Sequence, residues 1–245
     1  MDKKVTAICC GATDWKESDK IATLCSIEEG KISAVVKGCR KQNAKLRHSA
    51  TPFCFGEYVL NQKGDYYTVI GCAPVDQFTG IITDVDSYYA GSVMLDALRS
   101  STKVGDEIAP LIVAVLKYLK TLAYEECDKT LLLVSFMLDF MKEAGYGLEF
   151  SKCKVCRSNN FTKRFLSFSQ GGIVCNVCAK RDDEPISGQG AGLLKAISDG
   201  ISLSVLRYDE SVKREVLTLL NTYFGYVFGR KLSSVNQYLD ISKSV

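Results

Sequence analysis

Four of the eleven cysteines fall in two closely spaced pairs, a pattern typical of metal sites. Cys153 and Cys156 form one C-x-x-C pair, and Cys175 and Cys178 form the other, eighteen residues further on. Two residues between ligands allow a tight turn to point both sulfurs at one ion, and the interval between the pairs suits a four-thiolate zinc site. Because four sulfurs leave no position for water, the pattern predicts a structural Zn²⁺.

The segment between the two pairs predicts a β-hairpin that would bring the pairs face to face. Residues 161–169 are strand-like, residues 170–172 read Gln-Gly-Gly as a turn, and the chain then returns through an apolar pair. Three cations, Lys152, Lys154 and Arg157, would offset the negative charge of a zinc tetrathiolate. Two alternatives are a redox C-x-x-C, which needs only one pair, and an accidental grouping of core cysteines.

Little else in the sequence favours catalysis. The only histidine, His48, lies in a basic segment without an evident carboxylate partner, and no phosphate-binding glycine loop or dinucleotide fingerprint is present. The carboxylates of Asp84 and Asp86 fit a solvated helix face. We therefore predict a protein that is not an enzyme, although a zinc enzyme stays open as an alternative. Seven cysteines are interpreted as small buried apolar residues: Cys9, Cys10, Cys25, Cys39, Cys54, Cys72 and Cys127.

A run of positive charge at residues 31–47 is the best candidate for binding a polyanion, because it contains no acidic residue. Its cations are Lys31, Lys37, Arg40, Lys41, Lys45 and Arg47. Aromatic neighbours at Phe53, Phe55, Tyr66 and Tyr67 could stack on bases. Cations that follow phosphates and rings that stack on bases are the means by which small barrels hold single strands. The alternatives are a solubilising surface for the cations and core packing for the rings.

The order of predicted elements gives an α+β, multi-domain fold. Strand-like segments at 4–12, 20–27, 31–38, 53–60 and 66–73 fit an OB-type barrel, the small fold that commonly binds oligonucleotides. Helical periodicity begins at residue 77 and recurs at 110–122, 129–144 and 211–228. We predict an OB domain at 1–78, a helical domain at 79–149 and 183–245, and a zinc module at 150–182 inserted between the two helical parts.

Composition and charge limit the class of protein. The 245 residues are 47% hydrophobic and 24% charged, which is ordinary for a globular protein, and the longest apolar run is far shorter than the ~18 residues that cross a bilayer. Residues 1–50 and 151–245 are rich in basic groups, whereas 51–150 are rich in acidic ones. This pattern favours a modular cytoplasmic protein whose ends meet a polyanion, with ordinary surface variation as the alternative.

Two N-terminal segments, DWKESDKI at 14–21 and GKISAVVKGCRK at 30–41, resemble the RecO family of bacterial recombination mediators. Trp15 is a departure, since the family more often has tyrosine there. Further similarities follow in the family's order along almost the whole chain. They are Pro52-Phe53, Gly56-Glu57-Tyr58, the four paired cysteines, Phe168-Ser169, Gly171-Gly172 and Gly229-Arg230-Lys231-Leu232.

The resemblance implies an OB domain, a helical domain, a zinc module and a non-enzymatic task. The family binds single- and double-stranded DNA and anneals complementary strands. It engages the C-terminal tail of single-stranded DNA-binding protein (SSB) through a pocket among the helices. With RecR it helps RecA to load on SSB-coated DNA, at the bacterial nucleoid. Carried over, the zinc ligands fall on Cys153, Cys156, Cys175 and Cys178, and the basic positions of the OB domain on Lys37, Arg40 and Lys41.

Two further hypotheses complete the expectations. Lys163 and Arg164, between the cysteine pairs, could contact a second DNA strand or a partner, or could merely offset the charge of the thiolates. The main functional alternative is a zinc-stabilised protein-interaction or transcription-associated module without annealing activity.

Overall fold

The computed structural model describes residues 2–64 and 66–242. They divide into two compact units, one comprising Met1–Val85 with Met94–Tyr124 and the other Asp86–Val93 with Glu125–Val245. In the part of the chain that is described, no helix has the length and apolar character needed to cross a bilayer.

The first unit contains a closed β-barrel, as the sequence predicts. Its strands are β1 (Asp2–Trp15), β2 (Asp19–Ser26), β3 (Gly30–Val36), β4 (Phe55–Lys63) and β5 (Tyr66–Asp76). They are joined in the order β1-β2-β3-β5-β4, in which only the β3–β5 pairing is parallel. The turn predicted at 61–65 includes residue 65, which lies outside the described residues.

Alternation along the strands determines which side chains fill the barrel. On β3, Ile32, Ala34 and Val36 are buried, while Ser33 is exposed and Lys31 is half-buried on the opposite side. Gly30 begins β3 at φ +69°, and a Cβ there would lie 2.8 Å from the backbone oxygen of Asp106, so glycine is required. Among the seven scattered cysteines, five are buried and Cys72 and Cys127 are half-buried.

Three helices follow the barrel: α1 (Thr79–Ile82), α2 (Val85–Ser101) and α3 (Ala109–Tyr124). The periodicity that starts at residue 77 predicts one helix, but the structure divides it at residues 83–84. Two apolar members of that pattern are exposed, Val85 by 64% and Tyr88 by 40%. Helix α1 packs closely on α3, because a Cβ at Gly80 would lie 2.0 Å from the carbonyl oxygen of Ala123.

The second unit joins helices to a small sheet. Its elements are α4 (Lys129–Glu143), β6 (Arg164–Ser167), β7 (Gly172–Cys175), β8 (Glu184–Ile186), α5 (Gly188–Ser198), α6 (Glu210–Phe228) and α7 (Ser233–Ile241). Short 3₁₀ turns occur at His48–Ala50 in the first unit and at Leu203–Val205 in the second. The sheet order is β7-β6-β8. Strand β8 is absent from the sequence prediction, which treats residues 182–185 as a polar connection.

Helices α4 and α6 form the centre of the second unit. The ring of Phe140 lies 5.4 Å from that of Phe136 and 6.4 Å from that of Phe224, and all three side chains are fully buried. The buried ammonium of Lys213 on α6 donates to the carboxylates of Asp128, which caps α4, and Glu210. The charge of Lys213 is thus compensated although its side chain is only 6% exposed.

Candidate metal centre and basic surface

The four paired cysteines converge on one point. The sulfur atoms of Cys153, Cys156, Cys175 and Cys178 all lie within 4.8 Å of one another. The sulfurs of Cys156 and Cys175 are 3.8 Å apart, much further than the ~2.05 Å of a disulfide. Four thiolates at ~2.3 Å from a tetrahedral Zn²⁺ would be separated by about 3.8 Å. The donor set and its spacing therefore fit a tetrahedral metal ion.

Two turns and a hairpin position these sulfurs. In the first turn the N–H of Arg157 donates to the oxygen of Cys153, and Arg157 itself adopts a positive φ of 64°. In the second, the N–H groups of Cys178 and Ala179 donate to the oxygen of Cys175. Strands β6 and β7 pair antiparallel around the turn at residues 168–171, which confirms the predicted hairpin, although the first strand is shorter than 161–169.

Backbone groups favour the thiolate form at Cys153. Burial raises the pKa of its thiol, but N–H donation from Cys156, Cys175 and Val155 outweighs burial and lowers the pKa to about 6. One of these donors, the N–H of Cys175, lies 3.4 Å from the sulfur of Cys153. Apolar side chains cover the cluster, among them Val174, Phe161 and Phe165. Thiolates are the metal-binding form, so Cys153 is prepared as a ligand. By contrast, the hydrogen bond with Cys175 and burial raise the pKa of the Cys178 thiol to about 12.

The six cations of the predicted DNA-binding run all belong to the barrel unit, but their surroundings differ. Lys31 donates to the carbonyl of Arg99 at 3.0 Å, and Arg40 forms an ion pair with Asp14 at 3.3 Å. Arg47 donates to the carbonyls of Lys41 and Gln42 at 2.7 and 3.0 Å, so its side chain closes the loop.

Three cations of this run are exposed and uncommitted. Within residues 2–64 and 66–242, the side chains of Lys37, Lys41 and Lys45 make no ion pair or hydrogen bond. We call residues 37–47, which connect β3 towards β4, the basic loop. Free ammonium groups on a loop can approach phosphates without first breaking a protein contact.

The aromatic neighbours are less available than their sequence positions suggest. Phe53 is 1% exposed and lies in the core, and Phe55 and Tyr67 are half-buried. Tyr66, by contrast, is 78% exposed. Of the four rings, Tyr66 thus offers the most open face for stacking. His48 places Nε2 3.3 Å from the carbonyl oxygen of Cys72, a contact that fastens the end of the loop to the barrel.

Lys163 and Arg164 lie at the start of β6, beside a feature that the sequence did not indicate. A cleft of about 230 Å³ opens there, lined also by Phe165 and Ile186 from the sheet and by Gly188 at the start of α5. Lys163 is exposed, and the guanidinium of Arg164 lies 5.1 Å from the centre of the Phe161 ring. Strand β8 forms one wall of this cleft, and the sequence predicts a polar connection at its residues, so the cleft could not be predicted.

Comparison with known proteins matches almost the whole chain. Residues 1–78 match the family model described as "Recombination protein O N terminal", and residues 82–235 match "Recombination protein O C terminal". The DNA repair protein RecO of Clostridium novyi is 27% identical over 243 residues, which cover 98% of this chain and 95% of the relative. A RecO from Desulfitobacterium hafniense is 30% identical over 229 residues, covering 90% and 83%.

Proposed function

This chain belongs to the RecO family of DNA repair and recombination proteins, and from that premise we propose that it acts as a recombination mediator. In this proposal it binds single- and double-stranded DNA and anneals complementary strands. With RecR it helps to load RecA onto DNA coated by SSB, whose C-terminal tail it engages. It does so in the bacterial cytoplasm, at the nucleoid, and without catalysis.

The observation that carries this proposal is the basic loop on the OB-type barrel. Lys37, Lys41 and Lys45 present positive charge to solvent and form no ion pair or hydrogen bond with the described part of the chain. Annealing brings two polyanions together, so a protein that promotes it must screen both backbones while leaving the base edges free to pair. Cations on a loop meet this requirement because they contact phosphates and carry no base specificity.

We also propose that the metal centre holds Zn²⁺ through Cys153, Cys156, Cys175 and Cys178. A closed set of four sulfurs gives the ion no open coordination position, so its contribution is structural. When bound, Zn²⁺ cross-links the two turns and fixes the hairpin β6–β7 between them.

Strand annealing tests the proposed function directly. We expect this protein to accelerate duplex formation between complementary oligonucleotides at least tenfold, both for bare strands and for strands coated with SSB. Basic surface lowers the repulsion between the two backbones, and the effect should decline as salt is added. The measurement is the quenching of a fluorophore on one strand by a quencher on its complement.

A non-complementary pair of strands serves as the control. The alternative, a zinc-stabilised interaction module, predicts no acceleration at any salt concentration. That result, with folded and metal-loaded protein, would contradict the mediator function.

Lys163 and Arg164 are proposed to contact the second strand or a partner. Replacing both with alanine should slow annealing about three- to tenfold, because two cations beside the cleft are lost. Lys163 is exposed just before β6, and Arg164 is half-buried at the first position of that central strand, so neither belongs to the apolar core. The far-UV circular dichroism and zinc content should therefore not change. The matched control is Lys180→Ala with Arg181→Ala, which removes two exposed cations from the same region. If both double variants anneal strands at the same rate, Lys163 and Arg164 do not contact DNA specifically. Their role would then be to offset the negative charge of the thiolates.

A further inference from the structure

The second unit carries a group of contacting aromatic rings beside the cations of β6. The ring of Phe168, in the turn after β6, lies 5.3 Å from that of Tyr223 and 5.7 Å from that of Tyr226 on α6. The rings of Tyr223 and Tyr226 are nearly parallel, at 15° and 6.5 Å. Tyr223 is buried, Phe168 is half-buried and Tyr226 is 60% exposed. The arrangement leaves one ring of a packed group facing solvent.

Hydrogen bonds hold the two rings on which Tyr226 packs. Tyr223 donates its hydroxyl to the carbonyl of Tyr146 at 3.1 Å, which fixes the inner ring. The N–H of Gly171, in the turn that carries Phe168, donates to the oxygen of Phe168, and the oxygen of Gly171 accepts from Glu149 at 3.1 Å. A ring supported on one side by two others has little conformational entropy to lose when a ligand stacks on its free side.

Positive charge lies at the other end of the same strand. Arg164 begins β6 and Phe168 follows its last residue, so the guanidinium and the aromatic group are separated by about 13 Å of chain at roughly 3.3 Å per residue. Lys163 adds a second, exposed cation at the Arg164 end. At the other end, the stem of Lys231 passes close to Gly225, the residue before Tyr226.

One acidic side chain of α6 forms hydrogen bonds with the start of α5. Glu215 on α6 accepts from the N–H of Ser187 at 2.7 Å and from its hydroxyl at 2.6 Å, which ties α6 to the start of α5. These hydrogen bonds hold the start of α5 against α6 and leave the negative charge of Glu215 in place.

We propose that Tyr226, supported by Phe168 and Tyr223, and the cations Lys163 and Arg164 form a second binding strip for single-stranded nucleic acid, in which a base stacks on Tyr226 and phosphates meet the cations. The inference deepens the proposed function and rests on it, since annealing requires two strands to be held. An exposed flat ring suits a base, whereas an apolar peptide side chain needs a concave pocket. The cleft beside Arg164 is lined in part by cations, which suits a phosphate better than an apolar side chain.

The test is Tyr226→Ala in the full-length, metal-loaded protein. The probe is an oligothymidine that contains one 2-aminopurine, whose fluorescence falls when the base stacks. We expect the wild-type protein to quench the probe and Tyr226→Ala to bind it about tenfold more weakly with most of the quenching lost, as follows from losing one stacked base. Tyr226→Phe should keep both the wild-type affinity and the quenching, because stacking needs only the ring.

Tyr124→Ala, which removes a 54% exposed tyrosine from the first unit, is the control and should bind and quench as the wild type does. Equal affinity and quenching in wild type and Tyr226→Ala would overturn the strip while leaving the proposed function intact. A wild-type protein that binds no single strand would overturn both. If Tyr226→Ala bound DNA as the wild type does but no longer bound a synthetic peptide of alternating aspartate and phenylalanine, the strip would be assigned to a protein partner instead.

Discussion

Replacing Cys175 with serine is expected to abolish metal binding and to unfold the hairpin β6–β7. Cys175 is 5% exposed, ends β7, and donates its N–H to the sulfur of Cys153, so it belongs to both the metal site and the sheet. A serine hydroxyl stays protonated at neutral pH and is a poor ligand for Zn²⁺. The remaining three thiolates would leave a position open to water.

The expected loss of stability is large. Structural zinc sites contribute roughly 10 kcal/mol or more of binding free energy, whereas a whole domain is stable by only about 5–15 kcal/mol. The apolar cluster around the sulfurs is too small to replace that contribution, since its buried members are Cys153, Val174 and Cys175. We expect zinc content to fall from one equivalent to near zero, as measured by metal release to a chromogenic chelator. Cys153, Cys156 and Cys178 should then react rapidly with a thiol reagent.

Cys127→Ser is the matched control, because Cys127 is half-buried in the same unit but lies outside the cluster. It should retain a full equivalent of zinc and a nearly unchanged thermal unfolding midpoint. If Cys175→Ser kept its zinc and its stability, the four sulfurs would not form a structural metal centre.

The features that the sequence predicts well are those encoded locally. The alternation of Ile32, Ala34 and Val36 determines which face of β3 enters the barrel, because side chains along a strand alternate every two residues whatever packs around it. The two C-x-x-C pairs are equally informative, because the turn that brings two sulfurs together is set by the two residues between them. The barrel, the hairpin and the convergence of the four cysteines were therefore predictable.

The features that the sequence misses depend on tertiary partners. Glu184-Pro185-Ile186 becomes strand β8 only because β6 offers a free edge, where proline is tolerated. Phe53 is drawn into the core at a positive φ of 71°, so for this ring the core-packing alternative that the sequence left open is the correct one. The aromatic group on α6 brings together residues far apart in the chain, and no local pattern connects Phe168 with Tyr226.

The structure also separates the cations of the basic run that already have protein partners from those that are free within the described part of the chain, which their spacing in the sequence does not show. Arg40 is neutralised in part by Asp14, from the end of β1, and Arg47 is committed to backbone carbonyls of its own loop. An exposed ion pair such as Arg40–Asp14 contributes at most about 1 kcal/mol, so DNA could displace it at little cost. Among the described residues, Lys37, Lys41 and Lys45 have no such partner for DNA to displace. They are the part of the predicted site that the structure makes testable.

Replacing Lys37, Lys41 and Lys45 together with alanine is expected to weaken single-strand binding on the order of 50-fold at about 0.1 M salt. If four to six phosphates are neutralised by the whole run, the logarithm of the wild-type binding constant should fall against the logarithm of salt concentration with a slope of roughly −3 to −4. Losing three contacts at about 0.7 per contact should make the slope shallower by about 2. Fluorescence anisotropy of a labelled oligonucleotide, titrated at several salt concentrations, measures both quantities.

The matched control is Lys63→Ala, Lys103→Ala and Lys120→Ala, which removes three exposed lysines from the same unit outside the basic loop. Both triple variants have the same net charge, so a general electrostatic effect would weaken binding equally in the two. A local phosphate-binding surface predicts instead a steep loss for the loop variant and a change of less than about threefold for the control. The loop variant should also keep its thermal unfolding midpoint, because none of its three side chains makes a hydrogen bond or ion pair within the described residues. Equal slopes in the wild type and the loop variant would mean that DNA binds elsewhere on the molecule.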